Sequence, residues 1–86
     1  LIYWIATVRP NGRPHVTPLW GVWMNTTFYF DGSPESRRGR NLAQNPEIAV
    51  HVESGGAGKE VVIVEGRARE IKKPDLALRQ GLAAAY

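Results

Sequence analysis

Short runs of alternating apolar and polar residues make up most of this chain, and turn-forming residues separate them. Residues 1–9 are rich in β-branched and aromatic side chains, and Pro10, Asn11 and Gly12 then supply a turn. A second alternating run covers residues 13–24. The pattern predicts two antiparallel strands joined as a hairpin.

The rest of the chain continues in the same way, with two helical stretches added. Asn25, Thr26 and Thr27 indicate a second turn. Leu42 and Ala43 are the expected apolar contacts of the first helix. The elements predicted after the second turn are a strand over 28–30, a loop over 31–34, a helix over 35–44, strands over 47–53 and 60–71 with a glycine-rich link over 54–59, and a helix over 75–86.

Pro18 constrains how these strands pair. Proline has no amide proton to donate to a neighbouring strand, so this position lies at a sheet edge, at a bulge or where pairing shifts between strands. Three consecutive strands, a short helix, two longer strands and a final helix favour an antiparallel barrel over a sandwich or βαβ layering. We therefore expect a mainly β protein with one small barrel domain over residues 1–86.

The composition excludes several classes of protein. The chain has no cysteine, so it has neither disulfides nor thiolate metal ligands, which suits a reducing cytoplasm. Its apolar runs are far shorter than the ~20 residues of a membrane span, and we expect a soluble protein. The chain begins at Leu1 without methionine and stops at Tyr86 inside a predicted helix, which indicates the ordered part of a longer protein.

Positive charge is concentrated in the first half of the chain. The net charge is +3, and five of the eleven basic residues are arginines between Arg9 and Arg40. Within residues 33–40, a hydroxyl and two guanidiniums fall at the first turn of the predicted helix, where free amides and the helix dipole favour an anion. The segment is compatible with a phosphate site. It is also compatible with a solvated basic helix in which Ser33 or Ser36 is an ordinary N-cap.

Protein-borne reactive groups are scarce. His15 and His51 have no Cys, Asp or Glu at ligand spacing, so no metal site is predicted. The tryptophans, Trp4, Trp20 and Trp23, are first of all core or interface residues, although aromatic side chains on a barrel also stack nucleobases. An enzyme whose cofactor carries the hydride chemistry needs no nucleophile or metal of its own.

Several short segments occur in an order and spacing that match one known family. They are residues 12–20 (GRPHVTPLW), 28–30 (FYF), 36–38 (SRR), Asn41 with Leu42, Asn45 with Pro46, and 64–68 (VEGRA). The set resembles the pyridoxamine 5'-phosphate oxidase-like, flavin-binding split-barrel superfamily. The resemblance covers most of the chain and implies an antiparallel split barrel.

The resemblance also implies a cofactor site. Ser36, Arg37 and Arg38 fall on the residues that grip the phosphate, with Arg38 in place of the family's lysine. Asp31 and Gly32 fall at the end of the third strand, which borders the cofactor. The strand that lines the isoalloxazine ring, in large part through backbone groups, falls on His15, Val16, Thr17, Pro18, Leu19 and Trp20.

Two positions depart from the oxidase that gives the family its name. Trp20 stands in place of a lysine, and a glutamine of the oxidase falls at about Val61. The oxidase's C-terminal substrate-binding segment is also absent from this sequence. We therefore expect a substrate other than pyridoxamine phosphate and place the chain among the broader relatives, many of which use FMN or the deazaflavin F420.

The two cofactors differ beyond their phosphate. F420 continues into a lactyl-glutamate tail whose carboxylates need further cations, whereas FMN ends at the phosphate. Arg9, Arg13 and Arg40 are candidates for such a tail, but Arg9 and Arg13 flank a hairpin turn and are more simply interpreted as solvated. The sequence favours FMN, with F420 as the alternative.

The first functional hypothesis is an FMN- or F420-dependent oxidoreductase that transfers hydride or electrons to a small substrate. The family resemblance implies a homodimer with each cofactor between subunits. The first alternative is a flavin- or haem-binding split barrel without turnover, acting as a carrier, sensor or stress protein. The second is a basic oligonucleotide-binding barrel that stacks bases on Trp20, Trp23 and Tyr29. The basic residues cluster at one helix start rather than along a groove, which disfavours nucleic acid.

Overall fold

The computed structural model describes residues 2–54, 60–72 and 75–85. Along the described chain the strands are β1 (Tyr3–Val8), β2 (Pro14–Leu19), β3 (Gly21–Met24), β4 (Thr27–Phe30), β5 (Glu47–Ser54) and β6 (Glu60–Arg67). Helix α1 (Arg37–Gln44) lies between β4 and β5, and helix α2 (Leu76–Ala85) follows β6. The predicted mainly β class is confirmed. Neither helix is long and apolar enough to cross a membrane.

The strands form two antiparallel sheets. The larger has the order β2-β1-β5-β6, and the smaller consists of β3 and β4. In the larger sheet Ile5 of β1 lies opposite Thr17 of β2 on one side and Val50 of β5 on the other. Every neighbouring pair is antiparallel, as the succession of short strands predicted.

The single strand predicted over residues 13–24 is wrong, because the chain changes sheets within it. β2 ends at Leu19, Trp20 belongs to no strand, and β3 begins at Gly21 in the smaller sheet. Pro18 lies on β2 opposite Trp4, and β2 is an edge of the larger sheet. An edge tolerates the missing amide, so the first of the three alternatives expected for Pro18, a sheet edge, is confirmed.

Left-handed backbone conformations occur in the turns of the β1–β2 and β3–β4 hairpins. Between β1 and β2, Gly12 has φ +85°. The Gly12 amide donates to the Arg9 carbonyl oxygen, and the Arg9 amide donates to the Arg13 carbonyl oxygen, each at 2.8 Å. Between β3 and β4, Asn25 and Thr26 have φ of 51° and 61°, the signature of a two-residue hairpin turn. Both turns occur where the sequence predicts them.

Several predicted boundaries shift for local reasons. α1 begins at Arg37 rather than at residue 35, because Ser36 is its N-cap. α2 begins at Leu76, after Asp75, whose carboxylate accepts the Leu78 amide at 2.8 Å. β6 ends at Arg67, not at residue 71. The predicted glycine-rich link beyond residue 54, and Tyr86, lie outside the described residues.

A small apolar core joins the two sheets. Ile5 is fully buried at the centre of β1, and Tyr3, Val50 and Leu78 are buried with it. The Tyr3 ring contacts the Phe28 ring of β4 at a centroid distance of 4.6 Å, which packs the smaller sheet against the larger one. The inward side of β1 is thus the structural centre to which β2, β4 and β5 attach.

Candidate functional site

The start of α1 is shaped by the hydroxyl of Ser36. Its Oγ accepts the Gly39 amide at 3.0 Å and donates to the Ser33 carbonyl oxygen at 2.7 Å. The N-cap role that the sequence left open for Ser36 is therefore what the structure contains. The Ser36 hydroxyl donates its proton to Ser33 and so positions the first turn of α1. Helix geometry leaves the amides of Arg37 and Arg38 in this turn without intrahelical acceptors.

Arg38 is fixed by contacts with two strands. Its Nη1 donates to Thr17 Oγ1 of β2 at 2.9 Å, and its guanidinium carbon lies 5.9 Å from the centre of the Phe30 ring of β4. A Cβ added at Gly32 would lie 3.4 Å from Nη2 of the same guanidinium. The structure thus brings together three predicted site residues from three segments, Thr17, Gly32 and Arg38.

A surface depression of about 330 Å³ begins beside Arg38, and this volume lies at the small end of the range for ligand pockets. Its lining consists of Ile2, Pro18, Leu19, Trp20, Asp31 and Arg38. All but Ile2 are residues predicted from the resemblance. Ile2 directly precedes β1, and the pairing of β1 with β2 places Tyr3 opposite Leu19. The presence of Ile2 in the lining therefore follows from the strand register and not from a sequence motif.

His15 lies on the inward side of β2, close to the arginines of α1. Burial lowers the pKa of its imidazole, and the positive charges of Arg9, Arg37 and Arg38 lower the pKa further. Arg9 belongs to the β1–β2 turn, whereas the other two belong to α1. Every charged residue that shifts this pKa is an arginine, so the electrostatic potential around His15 is positive.

The side chain of Val16, a predicted residue of β2, lies away from the site, on the outward face that Pro18 shares near the end of the strand. It alternates with His15 and Thr17 and is therefore on the outward face of the sheet, where it is exposed. Only its backbone remains available to the predicted site.

Asn41 is a functional candidate that was not among the site residues predicted from the sequence. It is fully buried, and its Nδ2 donates to Thr7 Oγ1 of β1 at 3.0 Å. The sequence predicted Leu42 and Ala43 as the contacts of this helix, but Ala43 is exposed and the buried residue of α1 is polar. The available signal was the spacing of Arg38 and Asn41, which lie one turn apart on the same helix face.

Two buried polar atoms near this face have no hydrogen-bond partner among the described residues: Nδ1 of His15 and Oδ1 of Asn41. Buried polar atoms are nearly always paired, and unpaired ones often mark a site for water or a ligand. Together with the fixed Arg38 guanidinium, His15 Nδ1 as a donor fits an anionic ligand such as the phosphate end of a flavin-type cofactor, whereas Oδ1 of Asn41 can only accept a hydrogen bond. The described residues contain no group of three His, Cys, Asp or Glu side chains that could hold a metal ion.

Comparisons with known proteins agree with this geometry. The family described as pyridoxamine 5'-phosphate oxidase matches residues 2–85. A solved F420 reductase superposes with a TM-score of 0.76 at 28% identity, over 81% of this chain and 56% of that one. The conserved hypothetical protein Rv2991 from Mycobacterium tuberculosis superposes with a TM-score of 0.75 at 25% identity, over 85% of this chain and 47% of that one.

This chain spans about half the length of those two structures. No curated protein matches the sequence significantly. The predicted split-barrel fold is confirmed by these neighbours. The residues assigned to the cofactor stay predictions.

A substitution at Gly39 tests whether the loop before α1 must pack against the first turn of this helix. A Cβ at this position would come within 2.8 Å of Pro34 Cα, so Gly39→Ala must displace the loop. We expect a loss of about 1–3 kcal/mol of unfolding free energy in urea, despite the ~1 kcal/mol that alanine gains over glycine in a helix. Gly66→Ala is the control, because its Cβ would meet nothing within 4 Å. Equal stability of the two variants would contradict the close approach.

Proposed function

Because this chain belongs to the pyridoxamine 5'-phosphate oxidase-like split-barrel superfamily, we propose that it is an oxidoreductase dependent on a flavin-type cofactor. The observation that carries the proposal is the guanidinium of Arg38. It is held by Thr17 and Phe30 at the edge of a depression lined by residues that the family resemblance assigns to the cofactor.

The chain's own residues have two tasks in this proposal. Arg37, Arg38 and their amides bind the phosphate, because charge-assisted and paired N–H donors match its oxygens. Leu19 and Trp20, at the end of β2, line the depression and would border the ring of the bound cofactor. When bound, the cofactor supplies the hydride or electron transfer. The protein then orients the ring and leaves one face open to the substrate.

We propose F420 as the first cofactor to test, although the sequence alone favours FMN. One solved neighbour is named an F420 reductase, and its identity to this chain is 28%. Arg9 adds support, because it contributes to the field at His15 together with Arg37 and Arg38. A cation on this side of the molecule suits the carboxylates of the F420 tail, which FMN does not have.

We further propose that the protein works as a symmetric homodimer, since the single chain leaves much apolar surface exposed. Pro18, Trp4, His51 and Ile63 form one outward row across the four strands of the larger sheet. Trp4 is 40% exposed and Ile63 is 67% exposed. All eight residues of the edge strand β6 are exposed as well. Exposed apolar rows and open strand edges mark association surfaces.

The phosphate assignment can be tested with Arg37→Ala/Arg38→Ala. The two charge-assisted contacts are worth about 1.5–3 kcal/mol each, so affinity for F420 and for FMN should fall at least ~100-fold, measured by fluorescence titration. The fold should persist. Arg69→Ala/Lys72→Ala removes the same charge outside the site and should change affinity little. Unchanged binding by the arginine double variant would show that the phosphate is held elsewhere.

The choice of cofactor can be tested by titrating each cofactor into the protein and following its absorption. We expect F420 to bind at least ~tenfold more tightly than FMN, a difference of about 1.4 kcal/mol, and Arg9→Gln to reduce this ratio. Steady-state oxidation of reduced F420 or of NAD(P)H then distinguishes an oxidoreductase from a carrier. Tighter binding of FMN, insensitive to Arg9, would assign the flavin instead.

The assembly can be tested by sedimentation equilibrium at micromolar concentration. We expect a dimer whose interface buries well over ~1,000 Å² in total, since smaller contacts rarely persist in solution. Trp4→Glu, which places a charge in the outward row, should shift the equilibrium towards monomer. A stable, folded monomer of the parent protein would contradict both the dimer and a cofactor site between subunits.

A further inference from the structure

His15 lies between the two places where α1 is bonded to the sheet. In the register of the larger sheet it is opposite Thr7, which accepts the hydrogen bond from Asn41. Two residues further along β2 is Thr17, which accepts the bond from Arg38. His15, Thr17 and Thr7 face the same side of the sheet, so the imidazole occupies the strip that α1 covers.

Not all of the polar atoms in this strip have a hydrogen-bond partner among the described residues. Nδ1 of His15 is buried, and nothing in residues 2–54, 60–72 or 75–85 hydrogen-bonds to it. Asn41, whose Nδ2 reaches the residue opposite His15, has a buried and equally unpaired Oδ1. A neutral imidazole has one donor and one acceptor nitrogen, whereas a protonated one has two donors. Protonation therefore adds a donor to a region with a spare acceptor.

The charges around His15 disfavour its protonated form when no anion is bound. Arg9 faces it from the β1–β2 turn, and Arg37 and Arg38 face it from α1. The neighbour from β1 is Thr7, which carries no charge. Burial and these three arginines hold the pKa of His15 below its ordinary value. An anion bound to the arginines cancels part of their field.

We propose that His15 is a positioning residue of the anion site and takes up a proton when an anion binds at Arg37 and Arg38. In the cell this anion is the cofactor's phosphate, so the inference rests on the proposed function. The proton comes from solvent and no bond to the cofactor is formed. The imidazolium then adds a third positive group beside the phosphate and a donor on Nδ1.

The sign of the linkage follows from the two states. The pKa of His15 is lower in the free protein than in the anion complex. The gain in anion affinity that protonation of His15 provides is therefore complete below the free-state pKa. It is lost as the pH rises through the bound-state pKa. Between these two values, one coupled proton changes the affinity by up to about tenfold per pH unit. The monoester phosphate of FMN also titrates in this range and acts in the opposite direction, and a non-titrating anion avoids this effect.

The test is an NMR titration of the histidine side chains between about pH 5 and pH 8, the range in which histidine titrates. The sequence has two histidines, and His51 stacks against Trp4 on the outward face of the sheet, so it serves as the internal control. The samples contain chloride alone, sulfate at the same ionic strength, or a saturating amount of F420 or FMN. Sulfate keeps its charge across this range.

We expect sulfate and the bound cofactor each to raise the pKa of His15 relative to chloride. We also expect the pH dependence of sulfate affinity to flatten in His15→Gln and to persist in His51→Gln. If a cofactor binds but the titration of His15 does not move, the inference is overturned and the proposed function stands. If sulfate raises the pKa of His15 and neither cofactor binds, the proposed function fails and the proton-coupled anion site remains. A titration that neither sulfate nor cofactor moves overturns the inference.

Discussion

The docking of α1 through two side-chain hydrogen bonds is the constraint on which the candidate site depends. Arg38 bonds Thr17 of β2 and Asn41 bonds Thr7 of β1. Buried polar contacts of this kind add less stability than apolar packing would, but they leave little freedom of position, because each group loses its partner if the helix slides. The helix start, and with it the amides of Arg37 and Arg38, is held at a defined place over the sheet.

The same constraint explains the electrostatics of the site. A helix that carried apolar residues on its inner face would bury His15 in neutral surroundings. Here the inner face brings Arg38 to the sheet, and Arg37 follows beside it. The contribution of Arg37 and Arg38 to the positive field therefore results from how α1 is attached, and it provides an anion with both charge and unpaired donors.

The barrel is open in the single chain, and this sets the second constraint on the molecule. The buried residues Tyr3, Ile5 and Val50 form a small core, while the outward row and β6 remain exposed. A chain of this size buries only about 60% of the surface of its unfolded state, so a stable core needs further packing. Association through the exposed apolar surface would add that packing and would enclose a cofactor that the single chain can only line on one side.

Local sequence patterns predict most of the strands and helices but few of the contacts between them. Alternation predicted the strands because side chains of a strand point to opposite faces, and the turns at Gly12 and Asn25 followed from residues that adopt positive φ. The break at Trp20 escaped prediction, since a change of sheet alters the pairing partner and not the alternation itself. Ala43 was predicted as a contact in place of Asn41, because hydropathy does not reveal that a threonine lies across the interface.

The sequence by itself determined the mainly β class, the hairpins and, through the family motifs, which segments could border a cofactor. Only the tertiary structure decided that Arg38 meets Thr17, that Arg9 joins Arg37 at His15, and that Val16 faces away. Motifs and periodicity are properties of neighbouring residues along the chain. The field that Arg37 and Arg38 create at His15 and the bonds to α1 join residues more than twenty positions apart, and such distances are set by strand register and helix docking.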